Sequence, residues 1–305
     1  MIRSPALLAV LLSASTAFPA GTALASFPSK LASPIPASLE QVLDAPASAW
    51  RSSAVEVYRW DLFPDVVILD TARFAVQDRM FTRLAYFLEK RGFRGKLLGN
   101  ARLAGRHGWN AHDYGAEGLA AFFSAAAETS FPLNPEELAV RQLAADQGII
   151  SLSRGRFNPG RGAVLAICRS SSALERRLLL AHESFHGIFF FSEAYRGFCM
   201  ALWDSLPMEE KAFFESFLDS LGYDSADPTL VVNEFQAYLM QQPLEYAASY
   251  FDRFIRLRAD SGTASVVQPL QLVENARSLD EFLRPRFGFG AGGLLLAGIA
   301  GESKQ

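Results

Sequence analysis

His182, Glu183 and His186 follow one another as His-Glu-Ser-Phe-His, and that spacing carries a chemical meaning. Residues four apart on a helix lie one above the other on a single face, so both imidazoles can reach one metal ion. Glu183 is turned by about 100° around the helix. It stands beside the ion and off the line of the ligands, where a carboxylate can take a proton from water. The ion expected of such a pair is one Zn2+, which brings the acidity of a bound water close to neutrality and so makes a nucleophile available. Leu178, Ala181, Phe185 and Phe189 supply a core-facing stripe on the same helix. Two histidines and a glutamate in so apolar a setting cost desolvation unless something satisfies them, and a metal does so. The chain has only 4 histidines, so the match is a specific signal.

A catalytic zinc takes three protein ligands and keeps one position open. The metzincin continuation needs Gly at 189 and His at 192, but Phe189 and Ser192 stand there, which excludes that class. A later glutamate is the other common solution. Glu234 lies mid-helix in Val232-Asn233-Glu234-Phe235-Gln236-Ala237-Tyr238, with Tyr238 and Gln241 on its face and Phe235 and Leu239 on a core-suited side. Glu193 competes with it, although it is expected past the end of the motif helix. A donor for a developing oxyanion is also required. Tyr238, Tyr223 and Tyr195 are the candidates, and Tyr238 ranks first for its place one turn after Glu234.

On these residues the sequence resembles the gluzincin metallopeptidases, the thermolysin-like group in which His-Glu-x-x-His is completed by a Glu on a later helix. The resemblance covers His182 to about Gln241 and leaves the first half of the chain outside it. It implies His182, His186 and Glu234 as metal ligands and Glu183 as general base. It also implies that the strand Ala163 to Cys168 is a cleft edge along which an extended peptide adds as a further strand. There are two departures. The interval from His186 to Glu234 is longer than in thermolysin. Tyr238 also stands where thermolysin-like enzymes carry an Asp that orients a ligand histidine, so the groups around the ligands must differ. The activity implied is zinc-dependent hydrolysis of peptide bonds. A non-catalytic zinc-binding protein and a zinc hydrolase of non-peptide amides in the cell envelope are the alternatives; the intact Glu183 favours an enzyme.

Other clusters are weaker. His107 and His112 are five apart in a segment rich in Gly and Asn, where such residues more often cap turns than act in a site. Arg154, Arg156 and Arg161 suit either a substrate carboxylate or plain solvation. Cys168 and Cys199 are either one disulfide or two buried thiols, and neither has the CxxC spacing of a zinc site.

The elements that must position these residues point to an α+β fold, in which a small sheet backs the motif helix of a zincin-like portion and an N-terminal α/β portion precedes it. Arg3, the apolar run Ala6 to Leu12 and Ala23-Leu24-Ala25 read as a cleaved signal peptide over 1–25, which sends the chain to the periplasm or outside the cell. A Ser-, Pro- and Ala-rich linker over 26–54 follows, with one short helix at Leu39 to Leu43. Residues 55–146 form the N-terminal portion, with strands at Val55 to Tyr58 and Val66 to Leu69. Its helices are expected at Phe74 to Lys90, Ala116 to Glu128 and Pro135 to Asp146. The metallopeptidase portion spans 147–260. It opens with a hairpin of Gly148 to Ser153 against Ala163 to Cys168 around Asn158-Pro159-Gly160. Its helices begin at Ser172, at Ser205-Leu206-Pro207 and at Asp227-Pro228. A tail over 261–305 ends in an apolar, Gly-rich stretch too short to be a confident membrane span. The net charge of -3 gives no reason to expect nucleic acid as a partner, and the expected substrate is a peptide or protein.

Overall fold

The computed structural model describes residues 27–260 and 268–295. The expected signal peptide and its cleavage site lie outside those residues, as does the end of the apolar tail. Two runs of branched and aromatic residues form the strands β2 (Val55–Trp60) and β3 (Val66–Thr71), preceded by β1 (Ile35–Ala37) and α1 (Leu39–Asp44). The chain continues through α2 (Phe74–Leu88), α3 (Asn100–Leu103), β4 (His112–Gly115), α4 (Ala116–Glu128) and α5 (Pro135–Asp146). The strands β5 (Ile150–Ser153), β6 (Arg156–Pro159) and β7 (Ala163–Cys168) then lead into the motif helix α6 (Ala173–Phe191). Five more helices follow: α7 (Glu193–Ser205), α8 (Met208–Leu221), α9 (Pro228–Met240), α10 (Ala247–Asp260) and α11 (Pro269–Phe287).

The fold is α+β, with one mixed five-stranded sheet in the order β1-β2-β3-β7-β4 and a separate two-stranded hairpin. Every residue of β3 and β7 is buried, because helices cover both faces of the sheet. Alternation along the strands divides the core accordingly. Val66, Ile68, Leu165 and Ile167 pack with α6, α8, α9 and α11 on one face. Val67, Leu69, Val164 and Ala166 pack with α2, α4 and α5 on the other.

Three expectations are corrected. The hairpin joins β5 to β6 and not to β7: Arg154 and Gly155 both take positive φ, 52° and 77°, the two-residue turn whose twist suits adjacent strands. Freed from that pairing, β7 lies in the sheet interior, parallel to β3 and antiparallel to β4, so it is not a cleft edge. The edge strand on that side is β4. The stretch expected as a linker contributes Ile35–Ala37 to the sheet, in parallel register with Tyr58 to Trp60, and buries Leu39 and Val42 of α1. The sheet also draws strands from both sides of the boundary expected at residue 146.

The helix starts follow local signals. Ser172 and Glu175 form the expected capping box of α6, Asn134 and Glu137 that of α5, and Asp227 caps α9 ahead of Pro228. Gly222 ends α8 at φ 90°. Four helices, α3, α7, α10 and α11, occupy stretches not assigned to helices from sequence. Ser192 serves both as the end of α6 and, through its hydroxyl, as the cap of α7. Beyond α11, Ala291 and Leu294 are buried, and the Gly292 amide donates to the Met240 carbonyl, so the start of the apolar tail packs on the end of α9. Among the described residues, no helix is long and apolar enough to cross a membrane.

Candidate metal centre

The motif helix is pinned at its start and pressed close along its length. Arg176, in the second turn of α6, places both guanidinium NH2 groups 2.8 Å from the two oxygens of the fully buried Asp70 on β3, and Arg169 adds a third contact to Asp70 at 2.9 Å. One turn past the motif's centre, a Cβ on Gly187 would stand 3.3 Å from both Leu165 and Val66, so the absence of a side chain there lets α6 lie against β3 and β7. The face with His182 and His186 then turns toward α9, which carries Glu234.

The three expected ligands come together. His182 Nε2 lies 3.0 Å from His186 Nε2 and 3.4 Å from Glu234 Oε2, and His186 Nε2 lies 3.8 Å from the same oxygen. Ligand atoms about 2.0–2.2 Å from a tetrahedral ion are about 3.3–3.5 Å apart, so these separations bracket what one ion requires. The donor set fits a metal on chemical grounds too. Burial pushes both imidazoles down to about 4, which keeps them neutral, the form in which they ligate. Burial raises the Glu234 carboxyl, and its Oε2 has no hydrogen-bond partner among the described residues. A cation at the point where these atoms converge removes that cost. The buried triad of His182, His186 and Glu234 can therefore hold a metal ion. Glu193 is exposed in the first turn of α7 and takes no part in it.

Glu183 is buried beside the triad, and one of its oxygens lies within 4.8 Å of donor atoms of His186 and Asp113. Its Oε2 has no hydrogen-bond partner among the described residues, and burial, reinforced by the charges of Glu234 and Glu89, holds its carboxyl well above the usual range. An acceptor oxygen left without a partner beside the triad is placed to take a proton from water.

Of the three tyrosines, two reach the centre. The Tyr238 ring meets the His182 ring edge-on at 4.6 Å. The Tyr223 phenol faces the Tyr238 hydroxyl and the Glu234 carboxyl. Burial holds both phenols well above their ordinary range, so they remain donors. Tyr195 donates to Gln236 Oε1 at 2.9 Å inside the core and does not join them.

Several residues around the centre were given no role from sequence. Gln241 Oε1 stands 3.0 Å from His182 Nδ1, in the role the missing Asp would have filled. Asp113 on β4 approaches His186 Nδ1 at 3.7 Å. Glu89 and Lys90 close α2 against this region: the Asp224 amide donates to the Glu89 carbonyl at 2.7 Å, and Lys90 bridges to Tyr223. Burial, then the Glu234 charge, push Glu89 up to about 8, against a 2.5 Å bond from Trp109 Nε1. Burial brings Lys90 down to about 7, and its Nζ sits over the Trp109 ring, which stacks on Tyr223 at 4.5 Å. The helical pattern at Phe74 to Lys90 marked these two only as a helix end.

The remaining clusters supply no ligand to the triad. His107 is tied to Asp78 and Asn110, while His112 is buried with its Nδ1 2.9 Å from the Tyr114 hydroxyl. Arg154, Arg156 and Arg161 are exposed, and the last two pair with Glu128 and Asp65. Cys168 and Cys199 are both buried free thiols.

Comparison with protein-family models, with curated proteins and with solved structures returned no match.

Proposed function

We propose that the chain is a zinc-dependent peptidase that hydrolyses peptide bonds after export from the cytoplasm. The observation that carries the reading is the convergence of His182, His186 and Glu234 from two helices, with Glu183, whose Oε2 has no hydrogen-bond partner among the described residues, beside them. Three protein ligands, and not four, is the number that a catalytic zinc takes and a purely structural zinc does not. The likeness of the motif to the gluzincin pattern supports the same class, and the N-terminal export pattern supports the location.

His182, His186 and Glu234 would hold the zinc ion, which supplies Lewis acidity for water and for a substrate carbonyl. Glu183 takes the proton of the attacking water and carries it to the leaving amine. Tyr238 and Tyr223 would be the hydroxyl donors to charge that develops on the carbonyl oxygen.

The test is to measure bound zinc in the purified chain and in Glu183→Gln, and to assay both on a peptide library. The expected result is one zinc per chain in each, with cleavage by the parent reduced by about 10²–10⁴-fold or more in the variant. Zinc in both with cleavage by neither would point to a non-catalytic metal protein and overturn the peptidase reading.

A further inference from the structure

We infer that Asp113, delivered by the edge strand β4, is the positioning residue for the ligand His186; the inference rests on the metal-binding reading of the triad. His186 is fully buried, and its Nε2 is the atom that faces His182 and Glu234. For Nε2 to ligate, the ring must carry its proton on Nδ1, and a buried N–H needs an acceptor. Nδ1 has no hydrogen-bond partner at bonding distance among the described residues. The nearest carboxylate oxygen recorded for it is Asp113 Oδ2, at 3.7 Å.

Two features hold that oxygen in place. Asp113 pairs with Leu165 in the β4–β7 ladder, so its backbone is fixed by the same sheet that supports α6. Asn233, the residue before Glu234, donates its Nδ2 to Asp113 Oδ2 at 3.4 Å and also approaches His186. The carboxylate thus lies between one ligand and the neighbour of another. Ligation through Nε2 makes an imidazole Nδ1–H a stronger donor, and a carboxylate is its strongest partner. His182 has the equivalent in Gln241, so the two ligand histidines draw their acceptors from different parts of the fold. Neither acceptor comes from the position four residues after Glu234.

The experiment measures zinc affinity by chelator competition, with the visible spectrum of the cobalt-substituted chain as a second readout. It compares the parent with Asp113→Ala, Asp113→Asn, Asn233→Ala and His186→Ala. Asp113→Ala should bind zinc about 10–100-fold more weakly and shift the cobalt spectrum. Asp113→Asn, which keeps an acceptor oxygen and the side chain's size, should recover part of that loss and guards against a folding defect in the alanine variant. Unchanged affinity and spectrum in Asp113→Ala would overturn the inference. So would loss of stoichiometric binding equal to that of His186→Ala, which would make Asp113 a ligand, or the full loss appearing in Asn233→Ala alone. A parent that binds zinc but cleaves no peptide leaves Asp113 in this role and removes only the peptidase reading. A parent that binds no metal removes both.

Discussion

Gln241 faces His182 across 3.0 Å, seven residues after Glu234 on the same helical face. The relationship explains how the chain dispenses with an acidic residue four positions after its third ligand. Tyr238 stands at that position and lays its ring against His182, while the next turn supplies the acceptor. The two residues restrict the same imidazole, one by packing and one by a directed bond.

Removing that acceptor should weaken metal binding without unfolding the chain. Gln241→Ala is expected to lower zinc affinity by about 10-fold, whereas Gln241→Glu keeps an oxygen in place and should retain it. Chelator competition measures both. Equal affinities for parent and Gln241→Ala would refute the role.

The choice of third ligand makes an equally direct prediction. Glu234→Ala should lose stoichiometric zinc, and Glu193→Ala should keep it, because Glu193 projects from the exposed start of α7. Metal analysis of the two purified variants is sufficient. The reverse pattern would mean that the ligands rearrange around α7.

A pH dependence of stability arises away from the centre, at His107. Its Nδ1 lies 2.6 Å from Asp78 Oδ1 and its Nε2 2.9 Å from Asn110 Oδ1. Both ring nitrogens therefore face acceptors, the arrangement of a doubly protonated ring. Burial opposes that charge, and the bond and charge of Asp78 outweigh it, so the imidazole is raised above its ordinary value. The sign follows from linkage. A raised folded value means that the contribution is fully present below about pH 6.5, the unfolded value, and is lost as pH rises through the folded one. The unfolding free energy of the parent minus that of His107→Gln, from urea titrations at pH 6 to 9, should shrink as pH rises. A constant difference would show that the ring is not charged in the fold.

Much of this arrangement was legible in the sequence because it depends on local signals. A capping Ser172 with Glu175, an Asn134-Pro135 pair, an Asp227-Pro228 pair and Gly222 act within a few residues of themselves, and the helices they bound came out as read. The His-Glu-x-x-His geometry is local in the same sense. What escaped depends on pairing between distant segments. Asp113 reaches His186 because β4 joins β7, and Glu89 and Lys90 reach the centre because the end of α2 meets the end of α8. The misplaced hairpin has another cause. Asn158-Pro159-Gly160 looked like the stronger turn, yet Pro159 ends β6, a strand paired only with β5, where a proline is tolerated. The turn that forms relies on Arg154 accepting a conformation usually left to Gly or Asn.

The place of β7 between β3 and β4 also orders events in time. Among the described residues it is the only strand that touches both β3 and β4, and it is the last strand in chain order. Until Ala163 to Cys168 emerge, β3 lacks its parallel partner and β4 has no neighbour at all. The nascent first half therefore carries unsatisfied strand edges, the state in which chains pair with the wrong partner. The strand that closes those edges is followed at once by the helix bearing His182, Glu183 and His186.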